Sequence, residues 1–200
     1  MKIYGLIFCT FFALSTFAQK QLEIVAWNVE SGGAHADTIS KRISQDFSDA
    51  SILAFSEVSP NDAATYEKAA ENLWDKVGSV ISTNGGSDLL LILYDKSVLQ
   101  AEQQFEIQEI GLLNPYLRPA LVVRFEHKET SQQFYLLNNH LSRGKPEDEW
   151  KRIAQAYMLH NWVRNIKDVP VFLVGDFNFD YELNDPEPVS YTHLRAHETS

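Results

Sequence analysis

Short apolar runs, several of them ending on a polar or charged residue, alternate along this chain with segments whose apolar residues recur every three or four positions. Those two habits belong to strand and helix respectively, and their alternation points to the α/β class. Leu22 to Trp27 and Ile52 to Phe55 read as strands, and Ile39, Ile43 and Phe47 as one buried face of a helix between them. Ser59 followed by Pro60 predicts the cap and first turn of a second helix, with Tyr66, Ala69, Ala70 and Leu73 as its apolar stripe. Val77 to Ile81 and Leu89 to Tyr94 flank Asn84-Gly85-Gly86 and predict a hairpin. Leu121 to Phe125 and Phe134 to Asn138 predict a second strand pair. The longest helix is expected over 147–166, burying Trp150, Ile153, Ala154, Tyr157, Met158 and Asn161. Val169 to Val174 is apolar throughout, which predicts a strand covered on both faces. Hairpins combined with crossover helices suggest two packed sheets with helices outside, in one domain over residues 19–188.

Both ends of the chain read differently from its middle. Met1-Lys2 precedes an apolar run from Ile3 to Leu14, and Thr16-Phe17-Ala18 places small residues where signal peptidase reads them. Residues 1–18 are therefore expected to be a signal peptide, cleaved near Ala18, and the mature protein to be secreted or periplasmic. The run is shorter than the ~20 apolar residues of a bilayer-spanning helix, so no stable membrane anchor is expected. Cys9 is the chain's single cysteine and lies inside this segment, which leaves the mature protein without disulfide or thiolate chemistry. Residues 189–200 are polar and follow neither period, as a non-native tail would.

The formal charge is −10, and no long basic stretch offsets it. That excludes a passive coat on nucleic acid, whose affinity comes from bulk positive charge. It leaves room for an enzyme that meets an anion through a metal ion. Strand ends carry the residues for such chemistry: Trp27-Asn28, Ser56-Glu57, Asn138-Asn139-His140 and Gly175-Asp176-Phe177-Asn178. Strand ends on one rim of a sheet converge, and ligand sites of α/β proteins gather there. A carboxylate with an amide oxygen suits Mg²⁺ or Mn²⁺. A histidine and an aspartate beside that ion can contact a phosphate and orient a water. Singly, Asn28 is an ordinary turn former, Glu57 an acid near a helix start, His140 a donor to some carbonyl, and Asp176 with Asn178 an Asx turn. Their shared strand-end position argues for the chemical reading.

The ordered set Trp27-Asn28, Ser56-Glu57-Val58, Arg118-Pro119, Asn139-His140 and Gly175-Asp176-Phe177-Asn178 resembles the endonuclease/exonuclease/phosphatase superfamily, over about Leu22 to Asp180. The resemblance implies a four-layer α/β-sandwich, two packed mixed sheets flanked by helices, and metal-assisted phosphoester hydrolysis. It implies Glu57 as principal metal ligand with Asn28 beside it, and Mg²⁺ or Mn²⁺ as cofactor. His140 would bind the scissile phosphate or assist the leaving group. Asp176 would orient or deprotonate water, Asn178 would hold that water or a phosphate oxygen, and Arg118 would fix the substrate anion. The superfamily also carries a later aspartate and a Ser-Asp-His element, and neither is found before residue 200; His193 and His197 do not follow an aspartate. The expectation is accordingly a domain incomplete at its C-terminus, and poor activity for this form.

Asn139 to Lys145, with Arg152 and Gln155-Ala156, is most similar to secreted nucleases of the superfamily. Arg143, Lys145, Lys151 and Arg152 are then candidates for contacts to phosphates flanking the cut, although Glu147, Asp148 and Glu149 interrupt them as on a solvated face. The expected substrate is a phosphoester, with DNA or RNA favoured and no protein partner evident. The alternatives are a lipid or sugar-phosphate phosphoesterase and an inactive binding module on the same scaffold.

Overall fold

The computed structural model describes residues 22–83, 88–111, 114, 117–143 and 149–178. The signal-peptide segment, the Asn84-Gly85-Gly86 turn, Lys145 and the 189–200 tail lie outside them. Strands β1 (Ile24–Asn28), β2 (Ile52–Val58), β3 (Val77–Ile81) and β4 (Leu89–Asp95) form one sheet in the order β1-β2-β4-β3. Strands β5 (Leu99–Ile107), β6 (Ala120–His127), β7 (Gln133–His140) and β8 (Val171–Asp176) form a second in the order β5-β6-β7-β8. In each sheet one parallel pair, β1 with β2 and β7 with β8, accompanies antiparallel neighbours. Helices α1 (Ala36–Asp46) and α2 (Ala63–Ala70) cover the first sheet, and α3 (Glu149–Asn165) covers the second.

Alternation along each strand sorts side chains into these layers. In the first sheet Leu53, Phe55, Leu91 and Leu93 face α1 and α2, meeting Ile39, Ile43, Tyr66 and Trp74. Ile52, Ala54, Leu90, Ile92 and Tyr94 face the other way, onto Leu121, Val123, Phe125, Phe134 and Leu136 of the second sheet. Val122, Leu137 and Leu141 then face Ala156 and Leu159 of α3. Helix, sheet, sheet, helix is the expected four-layer sandwich. No helix among the described residues is long and apolar enough to cross a membrane.

Several expectations need correction. α2 begins at Ala63 rather than at Pro60, and Ser59 Oγ accepts the Asn61 N–H at 3.3 Å within the turn before it. β5 has no counterpart in the sequence reading: five of its nine side chains are polar, four of them exposed, and a bulge between Ala101 and Gln103 shifts the alternation midway. α3 buries Gln155, Ala156 and Leu159, while Trp150, Ile153 and Tyr157 of the expected stripe stand more than half exposed. The helix is apolar on both sides, so spacing alone does not choose its inner face. β8 is half-buried along its length, because it is the end strand of its sheet among the described residues.

Candidate active site

The parallel pairs bring the C-terminal ends of β1, β2, β7 and β8 to one rim of the sandwich. On β1, β7 and β8 the register alone aims the site residues into the space between the sheets. Asn28 shares parity with Ile24, His140 with Phe134 and Leu136, and Asp176 with Phe172 and Val174, all packed in the inter-sheet core. Glu57 is different. It has the parity of Leu53 and Phe55, which face the helices, and continuous alternation would turn it away from His140. A bulge between Phe55 and Val58 changes the phase, so that Val58 joins the helix-facing core. Glu57 itself takes φ +56°, the left-handed region. The strain is local and specific: about 1–2 kcal/mol for a residue with a Cβ, retained where the side chain has to point inward.

The side chains then meet. Glu57, His140 and Asp176 each offer a ligand atom, all within 4.8 Å of one another. His140 Nε2 lies 3.4 Å from Glu57 Oε1 and 3.9 Å from Asp176 Oδ2. Asn28 Nδ2 bridges the two acids, donating to Glu57 Oε1 at 2.9 Å and to Asp176 Oδ2 at 2.8 Å. Its oxygen accepts the Glu30 N–H at 3.0 Å and faces away from them. Asn28 is here the donor that holds two carboxylates at a fixed separation. Asn178, also at positive φ, donates its backbone N–H to Asp176 Oδ1 at 2.8 Å and its amide to Leu141 O at 2.7 Å. Its side chain therefore ties β8 to the strand of His140.

Arg118 is near but not in this cluster. Its Nε donates to Asp88 O at 2.9 Å and its Nη2 pairs with the Asp88 carboxylate. Asp88, just before β4, is a functional-site neighbour that the sequence reading missed, since no local pattern links it to Arg118. His140 is buried, and its pKa lies below the ordinary histidine value. Burial is the main cause and the Arg118 charge acts in the same direction, against the opposing pull of Asp176, Glu57 and Asp88. A neutral imidazole follows at neutral pH. Of the basic residues after His140, Arg143 is exposed and Arg152 pairs with Glu149 at 3.8 Å.

The donor set fits a divalent cation. Among the described residues Glu57 and Asp176 are offset by a neutral amide, a backbone N–H and an imidazole, with no lysine or arginine in ion-pair contact. Two carboxylates converging with an unbalanced charge are what a hard metal ion neutralises.

The Endonuclease/Exonuclease/phosphatase family profile matches residues 25–194. The chain belongs to that family. A truncated TDP2 from Caenorhabditis elegans superposes with a TM-score of 0.64 at 21% identity, over 80% of this chain and 64% of that one. The catalytic domain of human Nocturnin, with a bound sulfate anion, superposes with 0.62 at 20% identity, over 80% and 64%. A mannosyl-6-phosphatase of Bacteroides thetaiotaomicron gives 0.62 at 17% identity, over 82% and 68%. At such identities the likeness is one of fold. This Endonuclease/Exonuclease/phosphatase family chain spans 64% of the TDP2 chain, less than two thirds. No curated protein matches it by sequence.

Proposed function

We propose that the protein is a divalent-metal-dependent phosphoester hydrolase of the nuclease or phosphodiesterase kind, exported after loss of residues 1–18. The observation that carries this reading is the Glu57–His140–Asp176 cluster, assembled by three strands around unbalanced negative charge. Family membership supports the reaction class. Glu57 would be the principal ligand of the ion, Mg²⁺ or Mn²⁺ by the chemistry of the donors, with Asp176 beside it. Such an ion supplies positive charge for the developing phosphorane oxygens and acidifies bound water.

The chain's own groups supply the rest. Asp176 is fixed through Oδ1 by the Asn178 N–H and through Oδ2 by Asn28. A carboxylate pinned at both oxygens is oriented to take a proton from an attacking water. Neutral His140 presents Nε2 at the same cleft, where its N–H can donate to a phosphate oxygen. The charge of Arg118, which Asp88 braces, is felt at His140, and it would help to fix a substrate anion.

The test is hydrolysis of bis-p-nitrophenyl phosphate, p-nitrophenyl phosphate and plasmid DNA with Mg²⁺, Mn²⁺ or EDTA. Diester and DNA cleavage abolished by EDTA is expected. Cleavage of the monoester alone would turn the reading toward a sugar- or lipid-phosphate phosphatase. Turnover indifferent to EDTA would remove the metal from it.

A further inference from the structure

The bulge that turns Glu57 inward is fastened from the opposite sheet by a residue to which the proposed chemistry gives no part. Asn138 lies on β7, paired with Leu121 of β6 and Val174 of β8, and is wholly buried. It shares parity with Leu136 and His140, so its amide projects across the inter-sheet core. Nδ2 donates to Phe55 O at 2.8 Å and reaches Leu91 O at 3.5 Å. Phe55 and Leu91 are paired neighbours on β2 and β4, the last pair before the bulge. Both targets are carbonyl oxygens, so the amide nitrogen, not the oxygen, must face them. Oδ1 has no hydrogen-bond partner among the described residues and sits 2.8 Å from where a Cβ on Gly175 would stand. The side chain is therefore held by its donor end alone.

We propose that Asn138 is a positioning residue: it clamps the β2 bulge to β7 and so sets the placement of Glu57 relative to His140 and Asp176. One residue lies between Phe55 and Glu57, and one between Asn138 and His140, so the clamp lies directly beneath the cluster. A leucine of similar shape would fill the core equally well and leave the Phe55 and Leu91 carbonyls without their cross-sheet donor. Second-layer groups of this type typically change metal affinity by about 10–100-fold.

The test compares the wild type with Asn138→Leu by amide hydrogen exchange in EDTA, followed by Mn²⁺ titration calorimetry. The amides of Val29 and Ser31 donate to Ser56 O and Glu57 O at 3.0 Å each and report on the bulge. Ser79 and Leu93, paired on β3 and β4, serve as reference. Exchange at Val29 and Ser31 is expected to rise about 10-fold or more over the reference, and Mn²⁺ affinity to fall about 10-fold. Equal acceleration in both places, or none, would make Asn138 an ordinary core residue and overturn the proposal. Only the titration rests on the metal reading. If the wild type takes up no Mn²⁺, that reading falls and the exchange pattern still decides the role of Asn138. Should Asn138→Leu fail to fold, Asn138→Ser, which keeps a hydroxyl donor, is expected to show the same local pattern at smaller amplitude; wild-type exchange there would overturn it.

Discussion

Glu57 combines a left-handed backbone with a carboxylate turned toward the inter-sheet cleft, an arrangement that stability alone does not favour. Replacing its charge while keeping its shape isolates the second property. Glu57→Gln is expected to weaken Mn²⁺ binding by about 100-fold and leave the melting temperature of the metal-free protein within ~2 °C, since surface-accessible isosteric changes cost little. A large fall in melting temperature with binding intact would make Glu57 structural. His140 supports a pH prediction. Its folded pKa is depressed below the unfolded value, chiefly by burial, so between the two values the unfolded chain binds the proton more readily. Stability is then complete above about pH 6.5 and declines as pH falls below it toward the folded pKa. Thermal melts in EDTA between about pH 5 and 8 should show this decline, and His140→Gln should flatten that part of the profile. A wild-type melting temperature that rises on acidification would contradict the assignment.

Elements differ in how firmly their partners hold them. α3 presents Leu159, 1% exposed, to the second sheet and Tyr157, 60% exposed, to the opposite side. Leu159→Ala should therefore cost about 2–5 kcal/mol in denaturant unfolding, and Tyr157→Ser less than about 1 kcal/mol. Similar costs for the two would mean that the helix is rotated from the face described. β8 depends on Gly175, at φ +114°, where a Cβ would stand 2.0 Å from Asn139 O and beside the Asn138 amide. Gly175→Ala should destabilise the protein by at least ~2 kcal/mol, from backbone strain and overpacking together, and should loosen the Asp176 end of the site. Unfolding midpoints within error of wild type would remove that requirement. The β3–β4 hairpin has a similar close approach, with Gly78 lying flat against the ring of Tyr94.

At the scale of the whole molecule, a formal charge of −10 sets how a polyanion is met. Basic binders lose affinity steeply as salt rises, through counterion release. A chain with net negative charge lacks that bulk attraction. kcat/KM on DNA is accordingly expected to stay flat or rise between about 50 and 200 mM NaCl, and a 10-fold fall would indicate a basic track along the bound DNA. The same scale separates what was legible in the sequence from what was not. The α/β alternation, both strand pairs and the strand-end positions of Asn28, His140 and Asp176 could be read directly, because period and termination are local properties of a chain. β5 escaped because a polar strand with a bulge has no clean period. The inner face of α3 escaped because both its sides are apolar and only the sheet beneath chooses one. Asp88 behind Arg118, the donor role of Asn28, the bulge at Glu57 and the Asn138 clamp beneath it were decided by tertiary structure alone. Asn28 meets an acid 148 positions away; which atom of an amide faces which oxygen depends on the packing of two sheets, and no local pattern encodes that.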